Sequence, residues 1–353
     1  MNGKFLFMLL PLLALGFSMH GIEIKEDGIY AIIKTNMGDM TCKLYFEQAP
    51  VTVASFVGLA EGTIEFTDPK TKSPAKRPYF NGLIFHRIIK DFMIQGGDPL
   101  GNGTGGPGYQ FPNEIVATLK HDSAGVLSMA NAGPDTNGSQ FFITLKEQPR
   151  LDGSYSVFGK VIDGLDVLNK IGSVKTDQRD KPLTDVVINE IKIMRIGEKA
   201  KQFDAVKTFA AKDELAKKNE EKKKEAAAVL LKNLGFEESK KITTKSGLQY
   251  CVLKNGNMKK PKTGDTVVCN YDLYLPDGQK LDSSYDRGTP FETQIGVGRV
   301  IKGWDEALLD MSEGEKRILV IPYDLGYGDR GYPGVIPPKS TLIFVVELLS
   351  IKK

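Results

Sequence analysis

The sequence predicts a mainly β chain of two domains joined by a helical connector. β-rich runs begin at residue 28, and the Gly-rich stretch 82–161 indicates a closed or nearly closed β structure. Gly and Pro almost vanish at 197–244, where Lys, Glu and Ala dominate. Strand-like runs return from Gly247 onward. The two β regions show no similarity to each other, so they are not repeats.

Composition limits the class of protein. The 353 residues suggest two domains of ordinary size, and 41% apolar with 26% charged residues is typical of a globular protein. The 47 basic and 44 acidic residues leave a net charge of +3. A nucleic-acid binder would carry a strong basic bias, so no nucleic-acid partner is expected.

The N-terminus predicts a secretory signal peptide. Lys4 precedes the apolar run Phe5–Phe17, and small and polar residues follow. The run is shorter than the roughly 20 residues of a spanning helix, which favours a cleaved signal over an uncleaved anchor. Residues 1–18 are expected to be removed by cleavage after Ser18. The mature protein would then be periplasmic or secreted, or lumenal in a eukaryotic secretory pathway, with no integral membrane segment.

Local patterns predict the elements of the first domain, residues 28–196. Two β-rich runs flank Asn36-Met37-Gly38-Asp39, which indicates a hairpin. Residues 48–61 have helical spacing, with Pro50 in the first turn, where a missing N–H costs little. Residues 185–196 alternate like a closing strand. Cys42, Cys251 and Cys269 are expected to be buried small residues, and no structural disulfide is predicted.

The connector, residues 197–244, is predicted to form one or two helices. Acidic residues precede basic ones by four positions, as in Asp213/Lys217 and Glu220/Lys224, which supports a helix. Its apolar residues form two stripes: Phe203, Val206 and Phe209, then Val229, Leu230 and Leu234. A solvated helical spacer is favoured over a binding surface. In the second domain, residues 245–351, Asp277-Gly278 indicates a hairpin turn and 305–311 a short helix.

Several other chemistries have little support. Only three histidines are present, and His20 lies at the end of the predicted signal. His86 and His121 are too few for a metal site built from Cys and His, and no nucleophile elbow accompanies them. His86 is expected to be a core or hydrogen-bonded residue. Residues 101–106 match G-x-G-x-x-G, but Pro107-Gly108 follow instead of a helix, which favours a surface loop over a dinucleotide site.

Separated motifs of the first domain closely resemble the cyclophilin family. They are FHRIIKDFMIQGGD at 85–98, SMANAG at 128–133, NGSQFFI at 137–143, LDG at 151–153 and VFGKV at 157–161. The resemblance implies an eight-stranded closed β-barrel with two helices, and prolyl cis/trans isomerisation without metal or cofactor. It makes Arg87 the catalytic guanidinium. The other site residues that it implies are Phe92, Met93, Phe142 and Leu151 for the proline pocket, Gln95 and Gln140 for peptide positioning, and Ala130, Asn131 and Ala132 along the groove.

Two positions depart from the commonest cyclophilin pattern. Arg150 stands where a Trp usually precedes Leu-Asp-Gly, and Tyr155 stands where a His is usual. The Trp is associated with tight cyclosporin binding, so cyclosporin is expected to bind more weakly here. Tyr155 still offers a ring and a hydroxyl and is retained among the catalytic candidates.

Motifs of the second domain resemble the FK506-binding-protein (FKBP) family. They include DSSY at 282–285, VIKGW at 300–304 and GVIPP at 334–338. The resemblance implies a curved antiparallel sheet wrapped around one short helix, and binding of FK506 or rapamycin. The apolar pocket that it implies comprises Tyr271, Phe291, Val300, Ile301, Trp304, Tyr327, Ile336 and Phe344, with Asp282 at its edge.

The expected function is therefore a dual-domain peptidyl-prolyl isomerase that accelerates folding of exported proteins, with Pro-containing unfolded segments as partners. The alternative is a non-catalytic chaperone that grips such segments through both pockets. The two apolar stripes of the connector motivate that alternative.

Overall fold

The structure is a computed structural model that describes residues 17–19, 22–332 and 335–352. Residues 1–16 of the predicted signal peptide lie outside this range. The chain divides into two compact units: the first runs to Asn131 and from Thr136 to Lys212, and the second comprises Ala132–Asp135 and the chain from Asp213. None of the helices in the described ranges is long and apolar enough to cross a membrane.

The first unit is mainly β. Its strands are β1 (Phe17–Met19), β2 (Ile22–Ile24), β3 (Gly28–Thr35), β4 (Gly38–Leu44), β5 (Phe66–Thr67), β6 (Pro74–Ala75), β7 (Arg87–Ile89), β8 (Met93–Gly96), β9 (Val126–Met129), β10 (Phe141–Thr144), β11 (Val157–Asp163) and β12 (Ile188–Ile196). Its helices are α1 (Pro50–Glu61), α2 (Leu165–Ile171), α3 (Glu198–Gln202) and α4 (Ala205–Phe209), with a 3₁₀ turn at Pro149–Leu151.

Eight antiparallel strands form one curled sheet in the order β12-β3-β4-β11-β9-β10-β8-β7. The predicted closed barrel is not confirmed. The strand ladder ends at β7 on one side and β12 on the other, which leaves an open half-barrel. β3 and β4 form the predicted hairpin, with Thr35 opposite Gly38.

Helix α1 supplies the core against which this sheet curls. It begins at Pro50, as predicted, and ends before Gly62, whose φ of 73° suits a residue without a side chain. Every residue from Val51 to Ala60 is buried. Phe56 contacts Phe141 of β10 and Phe158 of β11, with ring centroids 5.4 and 5.2 Å apart. Because strand and helix residues interlock in this way, the sheet's outer face is held in a fixed shape.

The connector contains three helices, more than the one or two predicted: α3, α4 and α5 (Lys212–Leu234). Phe203 contacts Phe46, and Phe209 packs on Tyr109 and Phe111, with centroids 5.1–5.6 Å apart. Val206, however, is 52% exposed. The first predicted stripe therefore serves mainly to attach the connector to the first unit.

The second unit is also β. Its strands are β13 (Ile242–Thr243), β14 (Gln249–Lys254), β15 (Thr266–Tyr274), β16 (Lys280–Ser283), β17 (Phe291–Gln294), β18 (Lys316–Ile321) and β19 (Leu342–Lys352). α6 spans Lys302–Asp310, and 3₁₀ turns occur at Glu238–Lys240, Tyr323–Leu325 and Gly328–Arg330. The sheet order is β13-β14-β18-β19-β15-β16, and β17 also pairs with β15. The predicted turn at Asp277-Gly278 joins β15 to β16.

Both faces of this sheet are covered. On one face, Leu342, Phe344 and Val346 of β19 pack in the cluster that includes α6. On the other, Ile343 and Val345 join a cluster with Phe236, against which Leu230, Leu231 and Leu234 of α5 pack. This double burial explains why β19 is a continuous apolar run instead of an alternating one. Val229 is 61% exposed, so the second predicted stripe also packs within its own unit except at one residue.

The three cysteines are buried free thiols, as expected. Burial raises the pKa of Cys42 far above its ordinary value and that of Cys269 to about 12.

Candidate active sites

The strand register of the first unit aligns three predicted site residues. Arg87 of β7 lies opposite Gln95 of β8, and Gln95 lies opposite Phe142 of β10. Directly paired residues of antiparallel strands point to the same face. A guanidinium, an amide and a phenyl ring therefore form one row across the sheet.

The Arg87 guanidinium is held from one side. Its Nε donates to Oδ2 of Asp180 over 3.4 Å, and the backbone carbonyl of Asp180 accepts the N–H of Ile88 over 2.8 Å. The Asp177 carboxylate organises the same loop by accepting two backbone N–H groups, from Arg179 and Lys181. The Arg87 side chain is 44% exposed. Its terminal nitrogens make no hydrogen bond within the described parts of the chain, so they are available to a ligand.

The two glutamines are linked to the glycine-rich loop. Gln95 Nε2 donates to Gln140 Oε1 over 2.9 Å. Gln140 Nε2 donates to the carbonyls of Gly103 and Gly105 over 3.0 and 2.8 Å. The buried carboxylate of Asp98 shapes this loop by accepting N–H groups of residues 100, 102 and 103. The segment 101–106 is thus a surface loop, as predicted, and residues 107–148 that follow it contain no helix.

The predicted proline-pocket residues are apolar side chains at different depths. Met93 and Phe142 are buried, whereas Phe92 and Leu151 are half-buried. Tyr155 meets Phe142 edge to face, with centroids 5.6 Å apart. The guanidinium carbon of Arg150 lies 5.0 Å from the centroid of Phe92. Arg150 thus stands beside the pocket as a cation over an aromatic face.

A buried polar set lies behind Phe142, and sequence reasoning missed it. His121 stacks on Phe142 with centroids 5.8 Å apart and 11° between the planes. Its Nδ1 is 2.9 Å from Asp152 Oδ1, and its Nε2 is 3.0 Å from Ser128 Oγ. The set contains a Ser, a His and an Asp, but Ser128 and His121 are both fully buried. The hydroxyl cannot reach a substrate, so the set supports Phe142 and is not a hydrolase triad.

The predicted groove residues differ in their exposure to solvent. Ala130 and Asn131 are half-buried, and Asn131 Nδ2 donates to the carbonyl of Ser154 over 3.2 Å. Ala132 is exposed, and its segment belongs to the second unit. His86 is buried, as expected, but neither ring nitrogen has a hydrogen-bond partner among the described residues. Burial lowers its pKa.

An aromatic cup forms the candidate site of the second unit. Trp304 of α6 contacts Tyr271, Phe291 and Phe344, with centroids 5.2, 5.8 and 5.3 Å apart. Trp304 is only 4% exposed, and its indole N–H has no acceptor among the described residues. Ile336 is buried, whereas Val300 and Ile301 are half-buried against the same core.

Polar groups line the edge of this cup. Tyr271 donates its hydroxyl hydrogen to Asp282, and Arg287 pairs with Asp282 and donates to the Tyr271 hydroxyl. Burial, followed by the Asp282 interaction, raises the pKa of Tyr271. Arg287 was not predicted, although its position five residues after Asp282 could have indicated it. Tyr327 is not part of the contacting ring set. It is 39% exposed and lies 5.9 Å from the ring of Tyr332.

No group of three or more His, Cys, Asp or Glu side chains that could hold a metal ion occurs among the described residues. The chemistry available is hydrogen bonding from a fixed guanidinium at one site and an apolar aromatic enclosure at the other.

Comparison with known proteins connects both sites to one reaction. A family model described as cyclophilin type peptidyl-prolyl cis-trans isomerase/CLD matches residues 30–193. Peptidyl-prolyl cis-trans isomerase CYP18-2 of Arabidopsis thaliana is 46% identical over 166 residues, which cover 46% of this chain and 89% of that protein. The chain belongs to the cyclophilin-type peptidyl-prolyl isomerase family.

Further comparisons extend this assignment. A probable peptidyl-prolyl cis-trans isomerase A of Mycobacterium leprae is 47% identical over 165 residues, covering 46% of this chain and 91% of that protein. A crystal structure of a cyclophilin type isomerase from Cryptosporidium parvum is 38% identical, covers 49% of this chain and 100% of that chain, and has a TM-score of 0.42. An FKBP-type isomerase family model matches residues 257–349. This cyclophilin therefore also carries an FKBP-type domain, and it is a peptidyl-prolyl cis-trans isomerase that binds proline-containing peptides.

Proposed function

We propose that the chain holds two separate isomerase sites, the Arg87 row and the Trp304 cup, which act on X-Pro bonds of exported proteins during folding. The register across β7, β8 and β10 is the observation that carries the first site. It brings a guanidinium, an amide and a phenyl ring onto one face. Export is supported by the Lys4 and Phe5–Phe17 pattern of the N-terminus.

At the first site, Arg87 acts on the prolyl nitrogen. The peptide bond resists rotation because the nitrogen lone pair conjugates with the carbonyl, which gives a barrier of about 18–20 kcal/mol. When the amide twists, the lone pair leaves conjugation and accepts a hydrogen bond from a terminal N–H of Arg87. The donor favours the twisted amide over both planar isomers, which is what lowers the barrier.

The remaining predicted residues of the first site hold the peptide. Phe92, Met93, Phe142 and Leu151 grip the proline ring, and Tyr155 supports Phe142 from its edge. Gln95 and Gln140 orient the peptide backbone. Their hydrogen bond, and the bonds of Gln140 to the glycine-rich loop, fix them before the substrate arrives. Ala130 and Asn131 line the groove.

At the second site, catalysis rests on removal of water. A proline ring enters the cup above Trp304, between Tyr271, Phe291, Tyr327 and Phe344, with Val300, Ile301 and Ile336 around it. A planar amide is more polar than a twisted one, so an apolar enclosure weakens the planar ground state more. Asp282, held by Tyr271 and Arg287, stands at the edge and bonds the peptide backbone. FK506 or rapamycin would occupy this cup. Cyclosporin would occupy the first site, weakened by Arg150.

A non-catalytic chaperone is the less favoured alternative. It was motivated by the apolar stripes of the connector, but Phe203, Phe209 and Leu234 pack within their own units. Little of either stripe is left to grip a client.

We also infer that the half-barrel of the first unit closes into a barrel. Three backbone hydrogen bonds support closure: from Gly82 to Ile188, from Phe85 to Val186 and from Ile188 to Leu83. They join the segment that precedes β7 to the start of β12 and the residues just before it.

The two-site proposal is tested with Arg87→Ala, Tyr327→Ala and the double variant of the full chain. Exchange NMR measures cis/trans exchange of a proline tetrapeptide. Loss of one aimed donor typically costs a site about 10²-fold or more, so Arg87→Ala should leave only the second site's activity. Because Tyr327 is expected at the exposed edge of the second site, the double variant should be slower than Arg87→Ala alone. Lys192→Ala, an exposed cation on β12, is the matched control and should match the parent. Parental rates in both single variants and in the double variant would refute the proposal.

A further inference from the structure

We propose that Arg150 makes the cyclophilin-type site selective for proline segments with a carboxylate beside the proline. The inference rests on the proposed role of this site and adds a substrate class to it. Arg150 is exposed on the 3₁₀ turn Pro149–Leu151, directly before the pocket residue Leu151.

The position of the Arg150 cation is defined by an aromatic ring. Its guanidinium carbon lies 5.0 Å from the centroid of Phe92, which is half-buried at the pocket. A guanidinium over an aromatic face is attracted by the ring quadrupole. The contact limits the rotamers of a long side chain, so less entropy is lost when an anion binds.

The charge of Arg150 is not neutralised by the chain. Three other cations of the first unit have partners: Arg87 pairs with Asp180, Lys120 with Asp152, and Lys146 with Asp91. Arg150 has no carboxylate within ion-pair distance among the described residues. Its charge is thus available to pair with a peptide.

The geometry points to a side chain close to the proline. A proline ring held against Phe92 brings the adjacent peptide residues, about 3.8 Å apart at their Cα atoms, within reach of the guanidinium. The planar fork of an Arg matches a carboxylate with two parallel hydrogen bonds. A Glu or Asp beside the proline therefore gains a contact that a neutral residue lacks, and a Lys or Arg there is repelled.

The test compares peptide pairs that differ only in Glu or Gln, placed one residue before or one residue after the proline. For each full-chain variant, the Arg87-dependent kcat/KM is measured by subtracting the rate of its Arg87→Ala counterpart, and the Glu/Gln ratio is taken. A ratio within one variant cancels differences in folded fraction or general activity. We expect the parent to turn over the Glu peptide about two- to fivefold better than the Gln peptide at low salt, with Glu either before or after the proline. This is the free-energy range of an exposed ion pair. At 0.5 M salt the Debye length is about 4 Å, so the preference for Glu should be smaller.

Three variants test whether Arg150 causes the preference for Glu. Arg150→Gln should bring the ratio to one, and Arg150→Lys should retain part of the preference because the charge remains. Lys146→Gln, which removes an exposed cation already paired with Asp91, should keep the parental ratio. An equal ratio in the parent and Arg150→Gln, or the same shift in Lys146→Gln, overturns the proposal. If the neutral peptides are turned over with Arg87 dependence in that case, the site assignment stands and only the selectivity fails. If no peptide shows Arg87 dependence, the site assignment fails as well.

Discussion

The carboxylate of Asp180 and the Nε of Arg87 lie 3.4 Å apart, although 93 residues separate them in the chain. The same Asp180 binds the backbone next to Arg87, through the N–H of Ile88. Two bonds from one residue therefore set both the strand and the side chain. We therefore expect Asp180 to act as a positioning residue, through Arg87.

Asp180→Asn is expected to lower kcat of the first site about three- to tenfold with little change in KM. A guanidinium that is less well aimed loses stabilisation of the twisted amide, while ground-state peptide binding is retained. The measurement is steady-state kinetics in a Tyr327→Ala background, which lowers the second site's contribution. Asp180→Glu should recover part of the loss, and Arg179→Ala in the same loop should cause none. A rise in KM alone would argue against positioning.

The first unit should lose stability on acidification because of His121 and His86. Burial lowers the pKa of both rings, while the unfolded chain titrates near 6.5. The unfolded state therefore binds more protons just below that pH. Stability is fully present above about pH 6.5 and is lost as pH falls from there through the folded pKa, by at most about 1.4 kcal/mol per pH unit for each ring.

Urea unfolding followed by far-UV circular dichroism between pH 5 and 8 measures this dependence. His121→Gln removes one titrating group, so it should flatten the slope even if it lowers stability at pH 8. A slope as steep as that of the parent would contradict the assignment.

Phe209→Ala should destabilise the first unit by about 3 kcal/mol. Its ring is 8% exposed and packs on Tyr109 and Phe111, and removal of a buried phenyl ring costs about 3–5 kcal/mol. Val206 lies three residues earlier on the same short helix but is 52% exposed, so Val206→Ala should stay within about 0.5 kcal/mol. Urea unfolding by circular dichroism compares the two. Equal effects would show that α4 is not anchored by Phe209.

Phe236→Ala should destabilise the second unit by a similar amount, about 3 kcal/mol. Phe236 is 8% exposed in the cluster behind β18 and β19. Trp304 is the single Trp of the chain, so its fluorescence follows unfolding of this unit alone. The exposed Val229→Ala provides the control. A fluorescence midpoint unchanged in Phe236→Ala would refute the packing role.

Local features were predictable from sequence because their causes are local. The turn at 36–39, the helix that starts at Pro50 and the turn at Asp277-Gly278 each follow from a few adjacent residues. Arg87 and Gln95 could be grouped because they belong to one motif. Asp180 could not, since nothing in residues 177–181 indicates which strand the loop approaches. The same holds for His121 and Asp152, which are 31 residues apart.

The connector shows a second limit of prediction from sequence. Helical spacing predicted two apolar stripes, and Phe203, Phe209, Leu230 and Leu234 do pack against other residues. Val206 and Val229 of the same stripes are exposed, so the prediction was correct only in part. Spacing does not tell what covers such a face. In each case residues of the same unit cover it, so a pattern that could indicate a client surface indicates internal packing.

The burial of the three thiols affects how this protein reacts with disulfides and oxidants. A thiolate is the species that attacks disulfides and oxidants, and the raised pKa of Cys42 and Cys269 keeps them protonated at neutral pH. Burial also keeps all three thiols of the folded chain away from glutathione and oxidants in solution. Only an unfolded copy would expose sulfur to cross-linking. Oxidation of its cysteines should therefore occur before folding of the chain is complete and not afterwards.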